Sequence, residues 1–189
     1  MNQRERIVRA ASRIMSRKGY KGATFEEIAE AVGIHKSTIF HYFNDKQELL
    51  EAVIDIANIT KSLRDILEDK RLTPLEKLRE AIINHIKLLA EHVDYVRVYN
   101  TETRYLKDES KQKYLEARRF YASCFEGLVR ELQCENWGLF KGLDPKIVSY
   151  GILGMLNWTA IWYSDRGRLT PEEIGEIYFR MLLGRENLA

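Results

Sequence analysis

Apolar positions near the start of the chain recur with a helical period. Ile7, Val8, Ala11, Ile14 and Met15 fall at i, i+1, i+4, i+7 and i+8 on one stripe, while Arg6, Arg9, Arg13 and Arg17 lie on the opposite face. Later segments repeat the pattern, and their starts are marked. Thr24-Phe-Glu-Glu27, Thr73-Pro-Leu-Glu76 and Thr170-Pro-Glu-Glu173 each place Thr at an N-cap and Glu at N3, the sequence form of a capping box. All three prolines, Pro74, Pro145 and Pro171, follow Thr or Asp and suit the first helical position. These signals predict helices at roughly 2–18, 25–31, 35–42, 46–69, 74–91, 94–104, 107–134, 145–164 and 171–184, with no strand. Between Ile34 and Glu126 glycine is absent and Pro74 is the one proline. A β-rich chain needs turn residues about every 8–12 positions, so the pattern specifies an all-α fold.

The stretch from Thr24 to Phe43 has the spacing of a helix-turn-helix. Ile28, Ala29 and Val32 face inward from one helix, Gly33 supplies the left-handed residue of a tight turn, and Ile34 packs beneath it. Ile39, Phe40 and Phe43 are expected to fill the core side of the next helix. His35, Lys36, Ser37, Thr38, His41 and Tyr42 remain outward, hydrogen-bonding groups and an aromatic with no carboxylate among them. Such a face suits a major groove lined by base-edge acceptors and phosphates. Thr24 is first a cap, and the same position turns a helix N-terminus toward a phosphate. His35 and His41 stand six residues apart, poor spacing for joint metal binding on one helix, so no metal is expected.

Charge then changes the picture. The whole chain carries 30 Lys and Arg against 28 Asp and Glu, a near balance that at first argues against a nucleic-acid binder. Residues 1–50, however, hold nine cations and six anions, +3, leaving 21 against 22, or −1, for the remainder. A basic head sits on a slightly acidic body. Past residue 50 the helices lengthen, and 13 of the 20 aromatics lie between Tyr95 and Tyr163. No Gly-, Ser- or Pro-rich linker separates the halves, so the 46–69 helix is expected to join them rigidly.

The text Ile28-Ala29…Ala31-Val32-Gly33-Ile34-His-Lys36-Ser-Thr38-Ile39-Phe40-His41-Tyr42-Phe43, continued by Lys46-Gln-Glu48-Leu49-Leu50, closely resembles the DNA-binding domain of the tetracycline-repressor (TetR) family of bacterial regulators. The resemblance covers residues 5 to 50. It implies that Thr24 and Lys46 hold phosphates from either side, that Lys36, Thr38 and Tyr42 add phosphate contacts, and that His35, Ser37 and His41 lie nearest the bases. Ser37 departs from the family's usual Gly or Ala, and Phe40 from its common Tyr. The resemblance further implies a homodimer whose C-terminal helices bind a small ligand and pair with the partner. The division expected is therefore a helix-turn-helix DNA-binding domain at 1–50 and a ligand-binding and dimerisation domain at 51–189.

Within that body, Ile147, Tyr150, Gly151, Leu153, Gly154 and Leu156 make a broad apolar surface with small residues that allow close approach, and Ile174, Ile177, Tyr178, Met181 and Leu182 recur on the last helix. Both fit the pairing role; an intramolecular core competes. The 18 uncharged residues from Ile147 to Ser164 are long enough for a membrane span, but Ser149, Asn157, Thr159 and two glycines favour an interface helix, and no membrane association is expected. The run Asn157-Trp158…Trp162-Tyr163…Arg166-Gly167…Thr170-Pro-Glu-Glu173 resembles the FadR-like, acyl-CoA-responsive branch of the family, departing at Ser164 where Arg often stands. That resemblance implies Trp162 and Arg166 as contacts for a CoA head group. An acyl chain needs apolar walls and its phosphates need cations. Val96, Tyr99, Tyr121, Phe125, Leu156 and Trp158 are candidates for the first, with Arg104, Lys107, Arg118, Arg119 and Arg166 for the second. Another hydrophobic effector is the alternative.

The expected activity is repression of a palindromic operator, relieved when an effector tilts the 46–69 helix and changes the spacing of the two reading heads. Enzymatic chemistry is the rival from another class. His85 and His92 with Glu91, Glu102 or Asp108 offer acid–base groups, but no catalytic, metal or Gly-rich phosphate motif appears, no cofactor is implied, and surface or half-buried histidines explain them. A ligand-insensitive nucleoid binder of the same fold is a third reading. Cys124 and Cys134 lie a helix length of about 15 Å apart, too far for a disulfide. With charges interrupting the N-terminus, a bacterial or archaeal cytoplasmic location is expected.

Overall fold

The computed structural model describes residues 1–54, 57–135 and 138–184. Among them every regular element is helical: α1 (Gln3–Gly22), α2 (Phe25–Val32), α3 (Lys36–Ile39), α4 (Lys46–Ile54), α5 (Ala57–Glu68), α6 (Pro74–Glu91), α7 (Val93–Thr101), α8 (Asp108–Cys134), α9 (Pro145–Trp162) and α10 (Pro171–Leu183), with one 3₁₀ turn at Thr103–Tyr105.

The caps explain where these helices begin. At α6 and α10 the capping box closes in both directions. Glu76 N–H donates to the Thr73 hydroxyl and Thr73 N–H to the Glu76 carboxylate, and Thr170 and Glu173 repeat the exchange. Asn2 and Glu5 form a further box at α1, and the Asp144 carboxylate accepts from Lys146 and Ile147 N–H at the start of α9. At α2 the expected box is half made. Thr24 accepts the Glu27 N–H, but the Glu27 carboxylate turns to the Lys18 ammonium.

Three boundaries differ from the expectation. The second helix of the helix-turn-helix keeps regular geometry only to Ile39, because His41 and Tyr42 donate three residues back, to Thr38 and Ile39, which tightens the last turn. The segment expected as 94–104 ends at Thr101 and continues as the 3₁₀ turn. The expected single helix over 46–69 is seen as α4 and α5, and its continuity through residues 55 and 56 lies outside the described residues.

Contacts divide the chain into two compact units: Met1–Asp55 with His92–Leu115, and Ile56–Glu91 with Glu116–Ala189. Residues 92–115 thus fold with the first unit rather than with everything after residue 50. The cause is packing of α7 on α1 and α4. Val98 is fully buried in the same core as Ile7, Ala11, Ile28, Ile39, Leu49 and Leu50, and Leu106 joins it. In the second unit α6 packs against α5, α9 and α10, and Leu63, Leu78, Ile82, Ile86, Phe125 and Leu156 are among its most buried side chains. Gly175 brings α10 close to α6, where an added Cβ would stand 2.9 Å from the Cα of Ile83.

Candidate nucleic-acid interface

The turn between α2 and α3 is built as the spacing requires. Gly33 sits at φ 76°, ψ 41°, a region that favours glycine, and its N–H donates to the Ala29 and Glu30 carbonyls. Ile34 N–H also donates to the Ala29 carbonyl, at 3.0 Å, and the Arg6 guanidinium donates to the Val32 carbonyl at 2.9 Å, fastening α1 to the end of α2. Ile28, Ala29, Val32, Ile39 and Phe43 are buried as expected.

Phe40 is not. It is 47% exposed, with its ring edge-on against Phe25 at 5.1 Å and the Lys36 ammonium 6.0 Å from its centre. The tightened turn after Ile39 rotates residue 40 away from the inward face that an unbroken α-helix would give it. The structure leaves His35, Lys36, Ser37, His41 and Tyr42 exposed and Thr38 half-buried, so the donor face stands open. Lys36 is paired with Glu26 at 2.6 Å, and that hydrogen bond holds the Glu26 carboxyl below its ordinary range. Thr24 is exposed at the start of α2.

Lys46 is half-buried at the start of α4. Its ammonium donates to the Lys21 carbonyl at 3.2 Å and lies 4.8 Å from the centre of the Tyr20 ring, and burial lowers its proton affinity. Asp45 and Glu48 close the helix start. Glu48 N–H donates to Asp45 at 2.8 Å and Asn44 N–H to Glu48 at 2.8 Å, and the first of these bonds lowers the Asp45 pKa.

Of the residues expected to hold an effector, the second unit gathers Tyr121, Phe125 and Leu156 in its core. Val96, Tyr99 and Arg104 belong to the first unit, where Tyr99 packs edge-on against Tyr114 at 5.0 Å and Arg104 covers the Tyr105 ring at 4.9 Å. Trp158, Trp162 and Arg166 are exposed, so Trp158 is not a wall of that core. Among the expected pairing residues, Ile147, Tyr150, Gly151, Gly154, Ile177 and Met181 are exposed. Ile174 is buried beside Gly175 on the side of α10 that faces α6. Tyr178 is half-buried with its hydroxyl 3.0 Å from that of Thr159, so neither belongs to the open face.

Sequence reading missed the buried polar core of the second unit. His85, expected to be a surface or half-buried side chain, is buried with Nδ1 2.9 Å from the Tyr121 hydroxyl. Burial pushes its pKa down to about 4, against a hydrogen bond with Asn157 that favours the proton. The signal was available: Leu78, Ala81, Ile82, His85, Ile86 and Leu89 form one inward stripe. His92 lies beyond the end of α6, so no helix carries both histidines on one face. Among the described residues no group of three His, Cys, Asp or Glu is placed to hold a metal ion, and no helix is long and apolar enough to cross a membrane.

Comparison with known proteins places this geometry. The family described as "Bacterial regulatory proteins, tetR family" matches residues 7–53, and "Tetracyclin repressor-like, C-terminal domain" matches residues 71–185. The chain is similar to the HTH-type transcriptional repressor KstR2 of Mycobacterium tuberculosis, 24% identical over 186 residues that cover 97% of this chain and 92% of that protein. It is 26% identical over 155 residues to the fatty acid metabolism regulator protein of Bacillus subtilis, covering 81% of this chain and 79% of that one. Among solved structures, AibR in complex with isovaleryl coenzyme A and operator DNA superposes with a TM-score of 0.82 at 25% identity, covering 96% of this chain and 98% of that one.

Proposed function

The chain belongs to the TetR family of bacterial regulatory proteins, and we propose that it is a homodimeric repressor which two copies of α3 dock onto a palindromic operator and a small effector releases. The observation that carries this is the open donor face of α3, set on a Gly33 turn in the more basic end of the chain. Lys36, Thr38 and Tyr42 would take phosphates together with Thr24 and Lys46, and His35, Ser37 and His41 would meet base edges. Lys36 must leave Glu26 to do so, an exchange of one exposed ion pair for a phosphate that favours the complex only modestly. Nothing in this role requires a catalytic residue. The protein would act in the bacterial cytoplasm, where its operator is.

We take the effector to be an acyl-CoA thioester. The AibR complex holds isovaleryl coenzyme A, and the Bacillus subtilis relative is named for fatty acid metabolism. The apolar second unit, with Tyr121, Phe125 and Leu156 at its centre, suits an acyl chain. Trp162 and Arg166 are the exposed candidates for the head group. Such an effector relieves repression only through its differential affinity for the DNA-bound and free arrangements, typically about 1–3 kcal/mol. Half-sites about 34–36 Å apart leave little tolerance for a change in spacing.

A gel-shift titration on the DNA upstream of the protein's own gene tests the reading. Wild-type protein should shift that DNA and release it on addition of CoA thioesters of some chain length. Lys46→Ala should weaken binding to every sequence and flatten its salt dependence. An unchanged Lys46→Ala titration across salt would remove the phosphate role, and indifference to all thioesters would remove the acyl-CoA assignment while leaving the operator.

A further inference from the structure

A stack of side chains ties the segment after residue 92 to the cations of the DNA-binding unit. Gly19 breaks α1 at φ 73°, ψ 167°, a conformation closed to residues with a Cβ. The next amide then needs an acceptor outside the helix. Tyr20 N–H donates at 2.8 Å to Oε2 of Glu102, a carboxylate only 6% exposed that lies against Gly19 with both oxygens within 3.8 Å of where a Cβ would stand. A carboxylate is buried at this depth only where such bonds hold it. Glu102 is itself fixed, because it ends α7 and its N–H donates to the Val98 carbonyl at 2.8 Å.

Three residues further on, the Tyr105 ring stacks on Tyr20, centroids 5.2 Å apart and planes 28° from parallel. The two rings carry cations. Lys46 lies 4.8 Å from the Tyr20 centroid and Lys21 5.5 Å from that of Tyr105. The Tyr20 hydroxyl donates to Gln47 beside Lys46, and Lys46 donates to the Lys21 carbonyl. Among the described residues neither lysine is paired with a carboxylate. The arrangement holds two unneutralised ammonium groups in place three residues before Thr24 and at the start of α4.

We infer that Glu102 and Tyr105 are positioning residues for DNA binding, which hold Lys21 and Lys46 as a preformed site for the phosphate backbone; this rests on the DNA-binding reading above. Glu102 fixes the break in α1 through the Tyr20 amide, and Tyr105 holds the Tyr20 ring against which Lys46 is laid. Arg104, an effector candidate by sequence, covers the outer part of the same stack at 4.9 Å from Tyr105. The segment from 92 to 115 is then part of the DNA-binding machinery.

Fluorescence anisotropy of the full-length protein on the upstream duplex and on an unrelated duplex, each across a salt series, tests this. Glu102→Ala and Tyr105→Leu should each weaken binding to both duplexes by about tenfold at low salt. Each should also reduce the slope of log affinity on log salt by about one, the loss of one phosphate contact. Glu102→Gln, whose amide oxygen accepts the same N–H, should keep the wild-type slope. Should Glu102→Ala fail to fold, Tyr105→Leu answers alone, since it keeps the apolar bulk and removes the ring. Folded variants that match wild type in affinity and slope, whatever their melting temperature, overturn the inference. A wild-type protein that binds neither duplex overturns the DNA-binding reading with it.

Discussion

The imidazole of His85 is buried against the Tyr121 ring, and taking up a proton there would strip water from a charge. Its pKa therefore lies near 4 in the folded protein, against an ordinary 6.5. Between those values the unfolded chain binds more protons than the folded one, so stability rises with pH across the window and is lost as pH falls from about 6.5 toward 4. At about 1.4 kcal/mol per unit the full loss is on the order of 3 kcal/mol. Urea unfolding at pH 7 and pH 4.5 should show it, and His85→Gln, which keeps hydrogen-bonding capacity but does not titrate there, should lose less stability over the same interval. Equal losses in both proteins would show that carboxylates alone carry the acid sensitivity. The position of His85 was legible in the helical stripe it shares with Leu78, Ile82 and Leu89; its partners Tyr121 and Asn157, 36 and 72 residues away, were not. Phe40 failed in the opposite sense. Its inward placement assumed a helix that runs on past Ile39, and one tightened turn exposes it.

Helix starts were readable because a cap is a local event: Thr or Asn and the Glu three residues on satisfy each other's amides without help from elsewhere. Helix ends and breaks were less so. The kink of α1 at Gly19 is supported by Glu102, and no window of sequence joins those two residues. Close approach between helices is of the same kind. Gly175 sits where α10 meets α6, and an added Cβ would stand 2.9 Å from Cα and 3.0 Å from Cγ1 of Ile83. A side chain could rotate away, but the α6 backbone would have to move. Gly175→Ala should therefore destabilise the protein by about 1–3 kcal/mol, more than offsetting the gain of about 1 kcal/mol that alanine brings to a helix interior. A thermal melt should fall by several degrees. Gly127→Ala, where the added Cβ meets nothing within 4 Å, is the matched control within α8 and should not lower the melting temperature.

At the scale of the molecule, the sequence showed a basic head and an aromatic-rich body but could not show that residues 92–115 fold with the head, since that depends on α7 packing against α1. The apolar stripe of α9 was visible, yet only the structure separates its two sides. Ile152, Leu153, Leu156 and Ala160 are buried within the unit, whereas Ile147, Tyr150, Trp158, Ile161 and Trp162 are exposed, joined by Ile177 and Met181 on α10. Ile147 is 69% exposed, Trp158 64% and Met181 64%, and large apolar side chains left open in this number suit an interaction surface. Gly151 and Gly154 lie exposed within the same stripe, with open space where each Cβ would be, and so permit a second helix to approach closely. A second copy of the chain is the occupant the family reading requires, because a palindromic operator needs two reading heads fixed at one spacing. Replacing Trp158 and Ile161 together by Glu should leave the helical content and the core of the second unit intact, since both side chains are exposed. It should place four carboxylates in the paired interface, two from each copy. Sedimentation equilibrium should then report a monomer where wild type is a dimer. Operator affinity should fall by orders of magnitude, while binding to unrelated DNA, which one head can sustain, should fall far less. A wild-type protein that sediments as a monomer at micromolar concentration, or a double variant that remains dimeric, would assign the exposed face of α9 and α10 to some other partner.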